Sequence, residues 1–216
     1  MEAFCAKIEV QDRVRLFGVL GSIIVTRIPY PDPATLPESD RKFLASLPQL
    51  NISRLLAGSP SMFQPLTRLF SAYLNQGKLD PELREVAILR VGYLLNSEYE
   101  VINHRRAARV IGMDSNRIEA LLTDEPAATN LFDDQEQLVI QFVDEVIRQG
   151  KASDQTFHAT EQTMTTAELI ELSVVIGIYT LVSQVCATFG LEPEDVPIAE
   201  TGIEDIGRAV DKLTGV

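Results

Sequence analysis

Two neighbouring stretches of the sequence carry acid/base side chains at helical spacing, and the first contains Glu85. Ile88, Leu89 and Gly92 follow Glu85 at intervals of three, four and seven residues, which place all four on one face of a helix. A carboxylate on such an apolar stripe is desolvated, and desolvation raises its pKa towards the range useful for proton transfer. The alternative is a glutamate near the start of a helix, stabilised by the positive end of the helix dipole.

The second stretch contains Glu100 and His104, which are four residues apart and therefore lie one turn apart on one helix face. A carboxylate beside an imidazole raises the imidazole pKa and fixes the ring orientation, so that proton transfer near neutral pH becomes feasible. The alternative is a surface pair that stabilises the helix by a few tenths of a kcal/mol. The companions on this stripe are small or apolar and favour a buried pair: Ser97, Val101, Ala108 and Ile111.

Glu85, Glu100 and His104 could also offer ligands to a metal ion. Di-iron helical bundles use duplicated Glu-x-x-His motifs with further carboxylates from facing helices. In this chain the spacing is Glu-x-x-x-His, and His158 has no similar companion. We therefore predict no metal site.

Other polar residues of the same two stretches are candidates for binding a substrate. Ser97 lies on the second stripe, although no Ser-His-Asp order or nucleophile elbow surrounds it. Tyr93 and Tyr99 could donate hydrogen bonds to a substrate, while a buried tyrosine with a satisfied hydroxyl is the commoner case. Arg84 and Arg90 could hold a substrate carboxylate with two hydrogen bonds or could pair with surface acids.

The composition excludes several function classes. The chain has 216 residues, with Lys+Arg 19 against Asp+Glu 31 and a net charge of −12, so binding to nucleic acid or to an anionic membrane is not expected. The two cysteines, Cys5 and Cys186, cannot form a disulfide framework, a zinc ribbon or a CxxC redox pair. Cys186 lies in an apolar stretch and is predicted to be a small core residue.

Capping residues and helical periodicity divide most of the chain into helices. Five helices have a predicted start and a predicted end: Thr35/Glu38 to Leu47, Ser59-Pro60 to Gly77, Asn96 or Ser97 to Gly112, Asp133 to Gly150, and Thr165/Glu168 to Gly190. Two more have only a predicted start, at Asp80-Pro81 and at Asp114. Val19–Ile28, rich in isoleucine and valine, is the one segment that resembles a strand. The pattern predicts an all-α helical bundle.

The predicted helical domain covers residues 35–191, between an N-terminal extension at 1–34 and a C-terminal segment at 192–216. The C-terminal segment begins with an acidic run that we interpret as a solvated connector, and it ends in a short helix at Ile203–Leu213. The connector acids are Glu192, Glu194 and Asp195.

Two apolar segments bear on the location of the protein. Leu16–Val25 is preceded by acids as well as bases and is followed by no small-residue cleavage site, so we predict a folded extension or a partner-binding segment. Leu169–Phe189 approaches the length that spans a bilayer, but it contains several polar residues and is better interpreted as a buried core helix. We expect a soluble, cytoplasmic protein.

Residues 79–113 resemble the carboxymuconolactone decarboxylase family, which shares its fold with the AhpD-type alkylhydroperoxidases. The family pattern is an L-x-x-x-x-R-E-x-x-I-L-R helix, a short break, and a helix with E-Y-E and, further on, H-x-x-x-A-x-x-x-G. The matching residues are Arg84-Glu85, Ile88-Leu89-Arg90, Glu98-Tyr99-Glu100, His104, Ala108 and Gly112. Similarity continues more loosely from about Pro37 to Leu191, so the resemblance implies an AhpD-like fold.

The resemblance also implies roles for individual residues. In the peroxidase branch, a glutamate on the first helix serves two cysteines and a histidine on the second, and the two cysteine positions correspond to Ser97 and Glu100. The resemblance therefore implies a divergent member without the CxxC pair and without thiol peroxidase chemistry. The decarboxylase branch is cofactor-independent, which suits Glu85, Glu100 and His104 as proton-transfer groups. Val101 replaces the usual tryptophan after E-Y-E.

We therefore predict a cofactor-free lyase or isomerase that acts on a small enolisable keto acid, lactone or biosynthetic intermediate, with cyclisation as a further option. His104 is predicted to be the principal acid/base and Glu100 its orienting partner. Glu85 completes the relay, and Arg90, Tyr99, Ser97 and Tyr93 are candidates for substrate contact. The alternative is a non-catalytic member that binds a ligand or partner through the same pocket. The family resemblance also implies a homo-oligomer.

Overall fold

The computed structural model describes residues 26–194. These residues form α-helices and short 3-10 turns without a strand, which confirms the predicted all-α class. The α-helices within this range are α1 Glu38–Ser46, α2 Asn51–Leu56, α3 Pro60–Asn75, α4 Pro81–Leu94, α5 Glu98–Val110, α6 Ser115–Leu121, α7 Asp134–Gln149, α8 Asp154–Glu161 and α9 Thr166–Phe189. The predicted helix at 203–213, the apolar stretch at 16–25 and most of the predicted strand at 19–28 lie outside the described residues.

Helices with a strong capping signal begin and end as predicted. The Asp80 side chain accepts hydrogen bonds from the first backbone N–H groups of α4. Asp133 begins α7 and Thr165 begins α9, each with a complete capping box. Gly150 and Gly190 end these helices in the left-handed conformation that glycine adopts without strain, with φ of 82° and 66°.

The predicted capping box at Thr35 and Glu38 is wrong. Thr35 belongs to a 3-10 turn, Pro33–Thr35, and its hydroxyl donates to the carbonyl of Asp32 instead of capping a helix. α1 begins at Glu38 after Pro37 with no side-chain cap. The Thr35 side chain forms its hydrogen bond within the 3-10 turn that precedes the helix. Sequence spacing alone does not show whether such a side chain caps a helix or bonds within a turn.

Two helices were not predicted. α2 has only six residues and no side-chain cap, so the sequence carries no start signal for it. α8 does have such a signal, because the Ser153 hydroxyl accepts a hydrogen bond from the backbone N–H of Thr156.

α4 is the central helix of the bundle and packs against α5, α7 and α9. Most of its length is buried on all sides, with Val86, Ile88 and Leu89 fully inaccessible. Glu85 and Arg90 are therefore held inside the core, where an ionised group must be paired or hydrogen-bonded. Because this helix is buried, its ionisable side chains need partners inside the protein, and the site described below provides them.

Gly92 sets the close approach of α4 to the start of α5. A Cβ atom at this position would lie 3.1 Å from Cγ2 of Val101 and 3.5 Å from Cβ of Glu100. The absence of a side chain at Gly92 therefore allows α5 to bring Glu100 and His104 close to Glu85.

α9 is long and apolar enough to cross a membrane by length and composition, with a mean hydropathy of 1.8 in its most apolar window. Half of that window is buried inside the bundle, against α4, α5 and α8. A core helix of a soluble protein has these same properties, which agrees with the prediction of a buried helix.

Two glycine substitutions test the close approach at Gly92. We expect Gly92→Ala to lower the free energy of unfolding by about 1 kcal/mol, because overpacking against Val101 outweighs the better helix propensity of alanine. Gly177→Ala is the matched control, since a Cβ atom in the middle of α9 would meet no atom within 4 Å. It should raise the free energy of unfolding by about 0.5–1 kcal/mol. Equal gains for both variants in urea titrations would contradict the packing role of Gly92.

Candidate active site

The centre of the site is a hydrogen bond between His104 on α5 and Glu85 on α4. His104 Nδ1 lies 2.7 Å from Glu85 Oε2, and both residues are 2% exposed. Helix α4 contributes the carboxylate because Glu85 lies on its α5-facing side, one turn after the helix start. With Nδ1 donating to Glu85, the tautomer and the plane of the imidazole are fixed, and Nε2 is directed to the other side of the ring.

Glu100 lies on that other side, one turn before His104 on α5. Its Oε2 is 3.6 Å from His104 Nε2, and its Oε1 accepts a hydrogen bond of 3.6 Å from the thiol of Cys186 on α9. The structure thus brings together the three predicted acid/base residues in the order Glu85, His104, Glu100. It also places Cys186, interpreted from sequence as a core residue, both in the core and in contact with the site.

The charges of this cluster perturb the proton affinities of its members. Burial by itself lowers the pKa of His104, but the charge of Glu85, the hydrogen bond to it and the charge of Glu100 outweigh burial, so this pKa is raised above 6.5. Burial raises the pKa of Glu100 above 4.5, and the charge of His104 with the hydrogen bond from Cys186 reduces this effect without cancelling it. Burial also raises the pKa of the Cys186 thiol, which therefore remains a protonated donor.

A cleft opens beside His104 and Glu100. It is open to solvent, and its cavity volume is about 40 Å³. The residues that line it come from α2, α3, α5 and α9 and their connections: Leu50, Ile52, Phe70, Tyr73, Leu74, Tyr99, Glu100, Asn103, His104, Tyr179 and Val182. Glu85 is not among them, because it lies behind the imidazole.

Two tyrosines cover the imidazole from the side of α3 and α9. The rings of Tyr179 and His104 meet edge to face, with centroids 4.8 Å apart. The Tyr179 hydroxyl lies 2.6 Å from the hydroxyl of Tyr73. Neither residue was a candidate from sequence, because both occur within otherwise apolar helical stripes without a motif.

A second polar cluster forms the opposite wall and is centred on Glu194. Glu194 Oε1 accepts a hydrogen bond of 2.6 Å from the Tyr99 hydroxyl and another from the backbone N–H of Asn51. Its Oε2 accepts a bond of 3.2 Å from Asn103 Nδ2. The interpretation of the acidic run as a solvated connector is wrong for Glu194, which is 7% exposed. Only Glu192 has the expected exposed side chain, and Asp195 lies outside the described residues.

Two residues predicted to contact substrate are engaged elsewhere. Arg90 is fully buried, with its guanidinium bound to both carboxylate oxygens of Asp144 and to two backbone carbonyl groups, so it holds α7 and the loop after α6. Tyr93 donates its hydroxyl proton to Asp124 and does not line the cleft. Their positions on α4 did not show which neighbouring helix each side chain meets.

The other two substrate candidates lie close to the site. Tyr99 lines the cleft, although its hydroxyl is already bonded to Glu194. Ser97 is buried at the start of α5, and its hydroxyl has no hydrogen-bond partner within the described part of the chain. Arg84 is buried beside Glu85, with Nε 3.9 Å from Glu85 Oε1. Among residues 26–194, no group of three or more His, Cys, Asp or Glu side chains is arranged to hold a metal ion.

Residues 60–142 match the family model described as the carboxymuconolactone decarboxylase family. This segment contains α3 to α6 and most of α7, and with them Glu85, Glu100 and His104. The match confirms over these residues the resemblance seen in the sequence. No curated protein matches the chain significantly.

Solved structures show the same fold at low sequence identity. An uncharacterized peroxidase-related protein with an alkylhydroperoxidase AhpD core, from Ralstonia eutropha JMP134, superposes with a TM-score of 0.69 at 17% identity, covering 79% of this chain and 93% of that chain. An uncharacterized peroxidase-related protein from Silicibacter sp. TM1040 gives 0.71 at 15%, covering 86% and 98%. A debrominase in its apo form gives 0.65 at 16%, covering 85% and 98%. The fold is therefore AhpD-like, as the resemblance implied.

The buried role of Glu194 can be tested with two neighbouring acids. Glu194→Ala removes the acceptor for Tyr99, Asn51 and Asn103, and we expect it to lower the free energy of unfolding by about 2–4 kcal/mol, because buried donors are left without partners. Glu192→Ala is the matched control and should change it by less than about 0.5 kcal/mol, since that side chain is exposed. Equal, small effects in urea titrations would show that Glu194 is solvated in solution.

The raised pKa values predict how stability depends on pH. Folded His104 and folded Glu100 both bind their proton more tightly than they do in the unfolded chain, where they titrate near 6.5 and 4.5. Near and above these pH values, the folded state therefore holds more protons than the unfolded state does. The free energy of unfolding falls as the pH rises through that range. The extra stability of the wild type over His104→Gln should be largest below pH 6.5 and should shrink as pH rises through the folded pKa of His104.

Urea titrations across this pH range measure the difference. His158→Gln is the control, because His158 is exposed and outside the cluster, and its curve should run parallel to that of the wild type. A difference between wild type and His104→Gln that is independent of pH would contradict the raised pKa of His104.

Proposed function

We propose that this protein, whose central segment matches the decarboxylase family model, is a cofactor-free lyase or isomerase that uses acid/base chemistry on a small enolisable compound. Lactones, keto acids and biosynthetic intermediates that cyclise belong to this class. The observation that carries the proposal is the position of His104 on the wall of a cleft, between two buried carboxylates. A ring held in this way has a fixed tautomer, and the two carboxylates raise its pKa above 6.5, which favours proton uptake by the imidazole.

The residues of the cluster have distinct roles in this proposal. Glu85 accepts the Nδ1 proton of His104 and holds the ring, which leaves Nε2 as the atom that exchanges a proton with the substrate. Glu100 lies beside Nε2 and also lines the cleft, so it can receive or return the proton that the imidazole carries. In an isomerisation, the base removes a proton from the carbon next to a carbonyl group, the electron pair moves to the carbonyl oxygen, and the protonated ring returns the proton at another carbon.

The same arrangement supports decarboxylation. The bond between the α-carbon and the carboxylate breaks, CO2 leaves, and the electron pair again moves to the carbonyl oxygen of a β-keto acid. The imidazolium of His104 then donates its proton to the α-carbon. Neither reaction transfers electrons to or from the protein, which agrees with Ser97 and Glu100 at the positions where the peroxidase branch has cysteines.

The comparisons support an enzyme in a general sense. The matched family is a family of decarboxylases by its description, and one protein with the same fold is a debrominase. Thiol peroxidase activity is not part of this proposal, because Cys186 is buried and burial raises its pKa.

A second candidate is a non-catalytic protein that binds a ligand through the same cleft. The observation that favours it is the mutual pairing of the three acid/base residues, with Glu85 2.7 Å from His104 Nδ1 and Glu100 3.6 Å from His104 Nε2. In that case Glu85, His104 and Glu100 are a buried polar network that stabilises the bundle. Binding of members of a substrate panel without turnover of any of them would favour this candidate.

We further propose that the protein is a homo-oligomer, in which the partner is a second copy of the chain. α9 exposes three large apolar side chains on its outer side, with exposures of 59%, 42% and 41% at Ile170, Val174 and Leu181. Such a surface is typical of contacts between subunits. Sedimentation velocity tests it, and a monomer at micromolar concentration would contradict it.

The acid/base role of His104 can be tested without knowledge of the natural substrate. A panel of β-keto acids, γ-lactones and cyclic ketones is incubated with the protein in D2O, and NMR follows loss of CO2 and deuterium uptake at the α-carbon. We expect His104→Gln to lower the rate by about 10²–10⁴-fold, the usual contribution of a general acid/base. Glu85→Gln should also lower the rate, because the amide no longer fixes a basic imidazole.

His158→Gln is the matched control for this experiment and should leave the rate unchanged, since His158 is exposed and contacts Glu161. Circular dichroism and thermal unfolding confirm that each variant is folded. Full activity of a folded His104→Gln variant would exclude the role proposed for His104.

A further inference from the structure

Tyr73 and Tyr179 form a hydroxyl pair that the acid/base cluster does not use. Their hydroxyl oxygens are 2.6 Å apart, both residues are at least nine-tenths buried, and both line the cleft beside His104. Tyr73 comes from α3 and Tyr179 from α9, so the pair spans the cleft between two helices.

The hydrogen-bonding capacity of the pair is not exhausted. Each phenol carries one O–H donor, and one of the two protons occupies the bond between the two oxygens. Within residues 26–194, neither hydroxyl has another hydrogen-bond partner. One phenolic proton is therefore available for an acceptor in the cleft, because a buried donor without a partner is costly.

Both hydroxyls remain protonated and act as donors. Burial raises the pKa of Tyr73 and of Tyr179, and the negative charges of Glu85 and Glu100 act in the same direction on both. The Tyr73–Tyr179 pair thus provides a hydrogen-bond donor of fixed position at the side of the imidazole.

The charges around the cleft restrict the kind of ligand that can carry this hydrogen-bond acceptor. Among the described residues the lining contains no lysine or arginine, whereas Glu100 is part of the wall and Glu194 lies directly behind Tyr99 and Asn103. A ligand with one or more carboxylates would meet these acids in a desolvated site, with His104 as the one cationic partner that the described residues of the lining provide. The rest of the lining is mostly apolar and suits a hydrocarbon body, with Leu50, Ile52, Phe70, Leu74 and Val182.

We infer that the cleft binds a compact, uncharged carbonyl compound, such as a cyclic ketone or an unsubstituted lactone, whose oxygen accepts a hydrogen bond from the Tyr73–Tyr179 pair. Binding places the carbon next to the carbonyl group beside His104, whose ring packs against Tyr179 with centroids 4.8 Å apart. The assignment of the chemistry that follows rests on the proposed function. When His104 removes the α-proton, the pair stabilises the negative charge that develops on the oxygen. This assigns to the site isomerisation of neutral substrates in preference to decarboxylation of acids.

The binding part of the inference is tested with three probes that share one ring. Cyclopentanone has the acceptor, methylcyclopentane lacks it, and cyclopentanecarboxylate carries a charge. Ligand-observed NMR with the full chain should show binding of cyclopentanone that is about tenfold tighter than that of methylcyclopentane, and no binding of cyclopentanecarboxylate. Preferential binding of the carboxylate, or equal binding of ketone and hydrocarbon, would overturn the inference.

The effects of removing the two hydroxyls on cyclopentanone affinity should not be additive. In Tyr73→Phe or Tyr179→Phe, one hydroxyl remains and its proton is still available to the ligand, so cyclopentanone affinity should fall by less than about threefold. In the double variant the donor supplied by the pair is gone, and the affinity should fall to that of methylcyclopentane. Tyr93→Phe is the matched control, since its hydroxyl is bonded to Asp124 outside the cleft, and it should bind like the wild type.

A spectroscopic measurement separates a hydrogen bond from a change in shape. The C=O stretching frequency of bound 13C-labelled cyclopentanone should be lower than in hexane for the wild type, and the shift should disappear in the double variant. An unchanged frequency in the double variant would contradict the donor role of the Tyr73–Tyr179 pair even if the affinity falls. A double variant that fails to fold is replaced by the two single variants, in which the shift must persist.

Failure of this inference and failure of the proposed function are distinguishable. His104→Gln should retain cyclopentanone binding and its infrared shift while losing α-proton exchange. Exchange that depends on His104 without a hydroxyl-dependent infrared shift would leave the proposed function intact and overturn the role of the Tyr73–Tyr179 pair.

Discussion

The rest of the structure depends on one constraint, the burial of an imidazole and two carboxylates in the middle of a helical bundle. Ionisable groups in a medium of low polarity are tolerated only when each has a partner. His104 provides that partner for Glu85 and Glu100 at once, and the thiol of Cys186 donates to the remaining oxygen of Glu100. The close approach of α4 and α5 at Gly92 follows from this requirement, because the partners must lie within hydrogen-bond distance.

The same constraint explains the partners of two other buried charged residues, Arg90 and Glu194. Arg90 makes four of its five possible hydrogen bonds, to Asp144 and to backbone carbonyls, and Glu194 accepts hydrogen bonds from Tyr99, Asn51 and Asn103. These sets need nothing from outside the protein. The cleft is bordered by the hydroxyls of the Tyr73–Tyr179 pair, which have hydrogen-bonding capacity to spare, and by the ring of His104, whose Nε2 faces Glu100. Spare capacity in a desolvated cleft is what a ligand can use.

Local signals in the sequence were sufficient where the interaction was also local. Asp80, Asp133 and Thr165 mark helix starts because their side chains bond to backbone groups two or three residues further on. The predicted cap at Thr35 is wrong because the Thr35 hydroxyl donates to the carbonyl of Asp32 in the preceding turn, an interaction that is just as local as a helix cap. The family motif carried the three acid/base residues, since their spacing within α4 and α5 already places them on two facing stripes.

Interactions between distant parts of the chain were not predictable in this way. Glu194 is 95 residues from Tyr99, and its acidic neighbours made it look like a solvated connector. Tyr73 and Tyr179 are 106 residues apart and meet only because the tertiary fold brings α3 and α9 together at the cleft. Arg90 and Tyr93 share α4 with Glu85 but turn towards α7 and Asp124. The sequence by itself determined most of the helices and the three residues of the buried Glu85–His104–Glu100 cluster, because both depend on spacing within one helix. The tertiary structure alone decided which polar groups are satisfied and which face the cleft, because that depends on the helix that packs against each side chain.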